Sequence, residues 1–412
     1  MDAVDSCAIP GLTPVEAAIE LLLSTVKPIT ETIEVPVQDA LGYVLAQDQI
    51  SAIDVPPADN SAMDGYAFCA EDLNGEFETT LPVSQRIPAG TAPKPLITGS
   101  AARIFTGAEI PSGADSVVMQ ESCSVVDGNV TLPAKCIAGG NVRPKGQDIG
   151  SGSCLLGKGH RLKPQDLGLL ASVGIAKISV YRKVKIAVLS TGDELIEPGI
   201  ALAGGQIYNS NRYTLAGLVK AMGWELIDLG IVADNSAACE EALIAASQQA
   251  DCIITTGGVS VGEEDHVKAC VEKLGSLDLW KLAIKPGKPF AFGDVNGVPF
   301  MGLPGNPAAV FVTFTIVARP YLLTLQGAVD VMPTLLKVTA GFSKLRAAKR
   351  QEYCRAKLSV TDGVAVAELT GNQSSGVLST ASLGNGFAVH GLGQTIAEGG
   401  AVDFIFFNDV VY

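Results

Sequence analysis

The spacing of apolar positions changes character several times along the chain. Ile19, Leu22 and Leu23 mark one face of a helix that opens on Thr13-Pro14-Val15-Glu16, a capping box with Pro14 at the first helical position, and that Pro28 stops. From Glu34 to Ile53 apolar and polar residues alternate as in strands. Residues 69–149 hold short β-like runs among many glycines and prolines, which predicts a small β-rich unit without helices. A short helix is expected at Pro164–Val173 within a returning connection over 150–182. From Lys183 the pattern predicts strands at Val184–Leu189, Leu226–Val232, Asp251–Thr255 and Leu282–Ile284. Helices are predicted at Asn211–Met222, Ser236–Ala250, Glu264–Leu274 and Pro307–Leu325, the last kinked at Pro320. Residues 333–412 revert to short strands and turns.

Alternating strands and helices of these lengths indicate a parallel, doubly wound α/β sheet with β-rich units around it. The four units expected are a discontinuous N-terminal unit (1–51 with 150–182), an inserted β-rich unit (52–149), the α/β unit (183–332) and a C-terminal β unit (333–412). Glu194, Asp234, Gly257-Gly258 and Pro304-Gly305-Asn306 each follow a predicted strand. In a parallel sheet all four loops emerge at the carboxyl rim, where ligands bind at the switch point of strand order.

Composition narrows the classes. The chain has 412 residues, 47% hydrophobic and 17% charged, enough for about two to four packed domains and against long disordered segments. A net charge of −14 argues against nucleic acid as a main partner, while local lysines still permit a small anionic substrate. Nine scattered cysteines and three histidines offer neither a closed disulfide framework nor a zinc set, so any metal should be hard and oxygen-ligated. The acidic N-terminus lacks the charged start of a signal peptide, and the apolar run near Pro307–Ala318 is too short to span a bilayer. Both point to the cytoplasm and away from a membrane.

Asp251–Lys288 carries the strongest chemical signal. An apolar strand ends in Thr255-Thr256-Gly257-Gly258-Val259-Ser260, carboxylates follow at Glu263, Glu264 and Asp265, and lysines arrive at 281, 285 and 288. Glycines let backbone N–H groups approach an anion, and carboxylates beside a phosphate call for a bridging divalent cation. The pattern suggests a phosphorylated substrate with Mg²⁺. Each piece has a plain alternative: an ordinary βα turn at Gly257-Gly258, an N-cap cluster at Asp234-Asn235-Ser236, solvated lysines around Pro286-Gly287, and Asx turns at Asp59 and Asp64.

Taken together, the segments resemble the MoeA family of molybdopterin molybdenumtransferases, which includes the gephyrin E domain. The matching stretches are Pro57–Ala67, Ile104–Ala108, Arg143–Asp148, Ser190–Leu195, Thr256–Asp265, Lys281–Pro289 and Leu303–Pro307, in the family's order over nearly the whole chain. The resemblance implies a four-domain homodimer with a C-terminal β-barrel and a cleft shared between subunits. Its implied substrates are adenylylated molybdopterin and molybdate, with Mg²⁺ and AMP release, and the molybdopterin adenylyltransferase is a candidate partner. By the match, Glu194, Asp234 and Asp265 are the acids near Mg²⁺, with Asp265 favoured as the metal-linked catalytic acid. Lys281, Lys285 and Lys288 offset molybdate and phosphate charge. Gly257, Gly258, Ser260, Pro304, Gly305 and Asn306 contact substrate. Asp59, Asp64, Thr106 and Asp148 belong to the inserted unit, which in the dimer closes the partner's cleft, and Arg350 and Ser375 bring the C-terminal unit to the substrate.

The chain departs from the family pattern at three places. Ala309 stands where members often carry Ser, Gln351 where Pro is common, which predicts a looser Arg350, and Gln147 where an acid is frequent. Two other activities fit parts of the pattern. An adenylyltransferase would share the Gly-Gly-acid loop but needs only the α/β unit. A scaffold that lost chemistry would not need Asp59, Asp265 and Lys285, all present here.

Overall fold

The computed structural model describes residues 11–73, 75–258 and 266–411. The first helix is Val15–Thr25. Pro14 lies outside it as N-cap, and no side-chain cap bond forms, so the expected capping box is absent. The cause is tertiary. Thr13 N–H donates to Lys281 O (2.9 Å) and Thr13 O accepts from Ala283 N–H (2.7 Å), which pairs the backbone with the α/β unit. Val15, Ala18, Ile19 and Leu22 are buried in the core that the α/β unit shares with the barrel. The rest of the N-terminal unit is a separate antiparallel sheet. Its central strand Lys177–Tyr181 lies between Thr32–Pro36 and Val44–Leu45, and the helix Pro164–Ser172 packs nearby.

The inserted unit holds a six-stranded sheet in the order Ser116–Met119, Gly65–Phe68, Ala101–Ile104, Thr79–Ile87, Asn129–Leu132, Ser124–Val126, and among its described residues the helical pieces are short 3₁₀ turns. Small apolar clusters line its faces, around Phe68 and Leu132 and around Ile87 and Ile104.

The α/β unit is built on strands β1 (Lys185–Thr191), β2 (Glu225–Val232), β3 (Cys252–Thr256), β4 (Gly275–Lys281), β5 (Pro289–Val295) and β6 (Val298–Leu303). Their order is β2-β1-β3-β6-β5-β4. The first four are parallel. β5 and β4 extend the sheet antiparallel beyond β6. β1 and β3 are buried throughout or nearly so, as a sheet covered on both faces requires. The antiparallel extension was not anticipated. Asn296-Gly297, both at positive φ, is the two-residue turn that makes the β5–β6 hairpin. The expected strand at Leu282–Ile284 is instead a short segment, Ile284–Lys285, that leaves this sheet and pairs with the barrel.

Helices α1 (Ser210–Ala221), α2 (Ser236–Ser247) and α3 (His266–Leu274) connect the strands. A last helical run covers Pro307–Leu325 and widens to a π segment over Phe314–Ala318. Pro320 lacks an N–H and its ring crowds the carbonyl four residues back, at Ile316, so the ladder opens one turn before the proline. Among the described residues only this run is long and apolar enough to cross a membrane, and 89% of it is buried as the spine of the core.

The C-terminal unit comprises β7 (Leu336–Ala340), β8 (Gln351–Thr361), β9 (Val364–Leu369), β10 (Gly386–His390) and β11 (Ala401–Phe406). They close in the order β8-β9-β7-β11-β10-β8, a five-stranded barrel around Ala340, Ala356, Ala367, Ala388 and Phe404. Small residues inside let so few strands close. Ile284–Lys285 joins β8 in parallel, placing Lys285 opposite Glu352, so the lysine turn belongs to both units.

Candidate active site

The chain runs from β1 outward to β2, then back across to β3 and on to β6. The switch of direction lies between β1 and β3, and the Gly192–Glu194 and Gly257-Gly258 turns leave the carboxyl ends of those two strands. Gly258 has φ +63, and a Cβ there would stand 2.8 Å from Val267 Cγ2 and 3.0 Å from Thr191 Oγ1. The rim turn therefore approaches its neighbours in a way that other residues would obstruct. Asn211 Nδ2 donates to Gly305 O (2.7 Å), fixing the Pro304-Gly305-Asn306 turn against α1.

Across from this rim stands the lysine turn. Leu282 N–H donates to Lys288 O (2.8 Å), closing the loop 282–288. Gly287 has φ +120, and a Cβ on it would lie 2.4 Å from Thr313 Oγ1. Lys285 Nζ donates to Glu352 Oε1 (2.8 Å), and Lys344 Nζ donates to Oε2 of the same carboxylate (2.9 Å). Burial pushes the Glu352 carboxyl up, but the two lysines outweigh it and hold the group below its ordinary value.

The barrel supplies the third wall. Arg355, 1% exposed, donates its backbone N–H to Gln373 Oε1, Nε to Thr380 Oγ1 and Nη2 to Ser374 O. It shapes the loop that carries Ser375. Ser375 O accepts the Ala308 N–H (2.9 Å), which binds this loop to the start of the last helical run and leaves that N–H unavailable to an anion. Arg350 Nη1 donates to Ile284 O (3.3 Å). The expected loosening at Gln351 is not what the packing gives. Gln351 N–H donates to Ala283 O (2.7 Å), a bond proline cannot make, and its side chain reaches Glu16 and Tyr353.

The three walls enclose a cleft of about 700 Å³ lined by Glu194, Gly257, Gly258, Lys285, Lys288, Pro304, Gly305, Asn306, Ala309, Arg350 and Ser375. An adjoining cavity of about 900 Å³ shares Lys285, Lys288 and Arg350 and adds Lys281, Lys344, Arg346, Lys349 and Glu352. Loops from sequence positions nearly two hundred residues apart thus meet at one opening.

The other expected site residues lie elsewhere. Asp234 follows β2 at the same rim but does not line the cleft. The helix cap beside it is made by Asn235, whose side chain accepts from Ala238 N–H (2.9 Å), so Asp234 has no capping duty. Asp59, Asp64, Thr106 and Asp148 sit in the inserted unit, and the cleft lining of this chain includes none of them. Asp59 Oδ1 accepts from Lys145 N–H (2.7 Å); Asp64 Oδ1 accepts from the Thr106 N–H (2.8 Å) and hydroxyl (2.9 Å), which keeps its carboxyl low. Ser260 and Asp265 lie outside the described residues. Among the described residues no three His, Cys, Asp or Glu side chains converge to hold a metal. Glu352, Lys344, Gln373 and Ser374 were not anticipated. Glu352 carried one available signal, its place two residues after the matched Arg350.

A switch-point glycine turn facing two lysines and an arginine across a cleft defines an α/β protein with cationic groups gathered at the carboxyl rim of its sheet. Comparison with known proteins makes the class specific. Residues 13–174 match the MoeA N-terminal region (domain I and II), 187–324 a probable molybdopterin binding domain, and 337–407 the MoeA C-terminal region (domain IV). A molybdopterin molybdenumtransferase of Haemophilus influenzae is 47% identical over 300 residues, 72% of this chain and 74% of its own. One from Nostoc sp. is 39% identical over 371 residues, 88% and 85% of the two chains. The crystal structure of a molybdopterin biosynthesis MoeA protein from Pyrococcus horikoshii OT3 superposes with a TM-score of 0.81 at 29% identity, covering 96% of this chain and all of that one. The chain belongs to the MoeA family and is an enzyme of molybdenum cofactor biosynthesis.

Proposed function

We propose that the chain inserts molybdenum from molybdate into adenylylated molybdopterin, with Mg²⁺ present, and cleaves the phosphoanhydride so that AMP leaves. One observation carries this reading: Glu194, the Gly257-Gly258 turn, Lys285, Lys288, Arg350 and Ser375 face a single cleft. Lys285 and Lys288 are point cations on a stiff turn, and Arg350 presents a planar fork of donors. Together they suit a tetrahedral dianion such as molybdate. Gly257 gives its N–H to Leu303 O (3.2 Å), so the glycine turn serves a phosphate by its close backbone approach rather than through that donor. During cleavage one P–O bond of the anhydride breaks, an oxygen from water takes its place, and the lysines hold the charge that develops on the departing phosphate.

Glu194 lines the cleft and offers hard oxygen donors of the kind Mg²⁺ takes; Asp234, which follows the adjoining strand outside the cleft lining, and Asp265 are the further acids this reading assigns to the ion. Bound there, the ion would neutralise phosphoanhydride oxygens. Asp59, Asp64, Thr106 and Asp148 are exposed or half-exposed, with Asp59 and Asp64 locked to neighbouring backbone. In this reading they complete the cleft of a second subunit in a homodimer. The cytoplasm, where the pathway's small molecules would be at hand, is the proposed compartment.

The test is molybdate-dependent AMP release and molybdenum incorporation from adenylylated molybdopterin with Mg²⁺. The native chain should release AMP only when molybdate is added. Lys285→Met and Asp265→Asn should each lower the rate by about a hundredfold or more. A folded native chain that releases no AMP would refute the reading.

A further inference from the structure

We infer that Glu352 is a positioning residue of the anion site: it holds the Lys285 ammonium at the cleft and competes with the incoming oxyanion for it. The inference rests on the proposed role of Lys285 and deepens it. Glu352 and Lys285 are register partners on paired strands, so the backbone itself sets them side by side. The Glu352 side chain is 15% exposed, and its two oxygens are divided between Lys285 and Lys344 at 2.8 and 2.9 Å. His390 Nδ1 lies 4.0 Å from Oε2 and has no hydrogen-bond partner, because the ring's other nitrogen donates to Gln394 O. The Cys354 thiol also points to Oε2, at 4.0 Å and as a weak donor, so the close partners of the carboxylate are the two ammonium groups.

The surroundings make this more than a structural ion pair. Seven lysines and arginines line the cavity beside the cleft, and Glu352 is the one acid among its described lining residues. The Lys285 side chain stays 43% exposed while Glu352 is largely buried, so the ammonium remains open to a ligand. Here one ammonium of the pair also lines the substrate cleft. With Glu352 ionised, Lys285 and Lys344 present one net positive charge to an arriving dianion; without it they present two. The carboxylate lowers anion affinity and fixes the place of Lys285, and turnover needs that placement.

This predicts opposite movements of affinity and turnover, which a purely structural role would not give. Molybdate binding to the full-length protein is measured by calorimetry, and molybdate-dependent AMP release by rate assay. Glu352→Gln should bind molybdate roughly three- to tenfold more tightly and turn over about tenfold more slowly. Glu352→Asp keeps the charge with a shorter reach, so its affinity should match the native protein while its rate falls between the two. Lys344→Met should bind molybdate more weakly. The inference is overturned if Glu352→Gln binds no tighter or turns over normally, or if Glu352→Asp shifts affinity as Gln does. Should Glu352→Gln not fold, Glu352→Asp and Lys344→Met carry the test, and native affinity in Lys344→Met would overturn it. A native protein that binds molybdate but releases no AMP would sink the proposed reaction and leave the binding comparison of the variants decisive for Glu352.

Discussion

Single residues set how sharply the cleft is shaped. Gly287 combines φ +120 with a Cβ position 2.4 Å from Thr313 Oγ1. Gly287→Ala should cost about 2 kcal/mol of stability and displace both neighbouring lysines, with AMP release falling about tenfold; urea unfolding and the rate assay measure the two effects. Ala309 lines the cleft at 2% exposure and presents no hydroxyl there. Ala309→Ser should tighten molybdate binding roughly five- to tenfold by one more hydrogen bond to a charged ligand, read by calorimetry. Glu352 also makes the site sensitive to acid. Its carboxyl sits below the ordinary 4.5, so its stabilising contribution is full above that value and is lost as pH falls through the lowered one. The melting-temperature gap between the native protein and Glu352→Gln should be widest near pH 7 and close below pH 4.5; an unchanged gap would show that the ion pair contributes nothing. Glycines and lysines were legible because their neighbours in sequence carry the pattern. Glu352 was not, because its lysine partner is 67 positions away and only strand pairing joins them.

At the scale of elements, local pattern and tertiary pairing had different fates. The buried parallel strands and their helices were legible because continuous apolar runs and helical spacing are local signals. β4 was not: its residues are mostly exposed or half-exposed at the sheet edge, and its alternation is confined to Ser276-Leu277-Asp278-Leu279. The β5–β6 hairpin did carry a local sign, Asn296-Gly297, hidden in a region expected to hold helices and parallel strands. The join between the N-terminal sheet and the α/β sheet combines apolar packing around Ile29, Val44 and Tyr181 with a set of polar groups. Arg182 donates both terminal nitrogens to Asp251 (2.6 and 2.7 Å) and Nε to Glu31 (2.7 Å), and Asp251 also accepts the Lys185 N–H (2.8 Å). Both side chains of the central pair are mostly buried, so Asp251→Ala takes the carboxylate from both terminal nitrogens of Arg182 and leaves the Lys185 N–H unmatched, while Glu31 and Lys183 O still hold the guanidinium. It should destabilise by about 2–3 kcal/mol, and Asp251→Asn by less, in chemical unfolding followed by tryptophan fluorescence.

At the scale of the molecule, one chain assembles three walls of a cleft and places four further candidates, Asp59, Asp64, Thr106 and Asp148, on a unit that does not line it. If these residues serve the same reaction, the simplest geometry is an exchange between two copies, each lending its inserted unit to the other. Sequence order alone is silent on this, since it cannot say which subunit's cleft a loop faces. Genetic mixing can. Asp59→Asn and Lys285→Met, each nearly inactive as a homodimer, are co-expressed with different tags and the mixed dimer is purified. In a shared-cleft dimer one cleft collects both substitutions and the other collects neither, so the mixed dimer should regain about half the native rate. If Asp59 instead serves the cleft of its own chain, every cleft of the mixed dimer carries one substitution and the rate stays at the level of the parents. Recovery would therefore establish the exchange, and its absence in a confirmed mixed dimer would confine the whole site to one subunit.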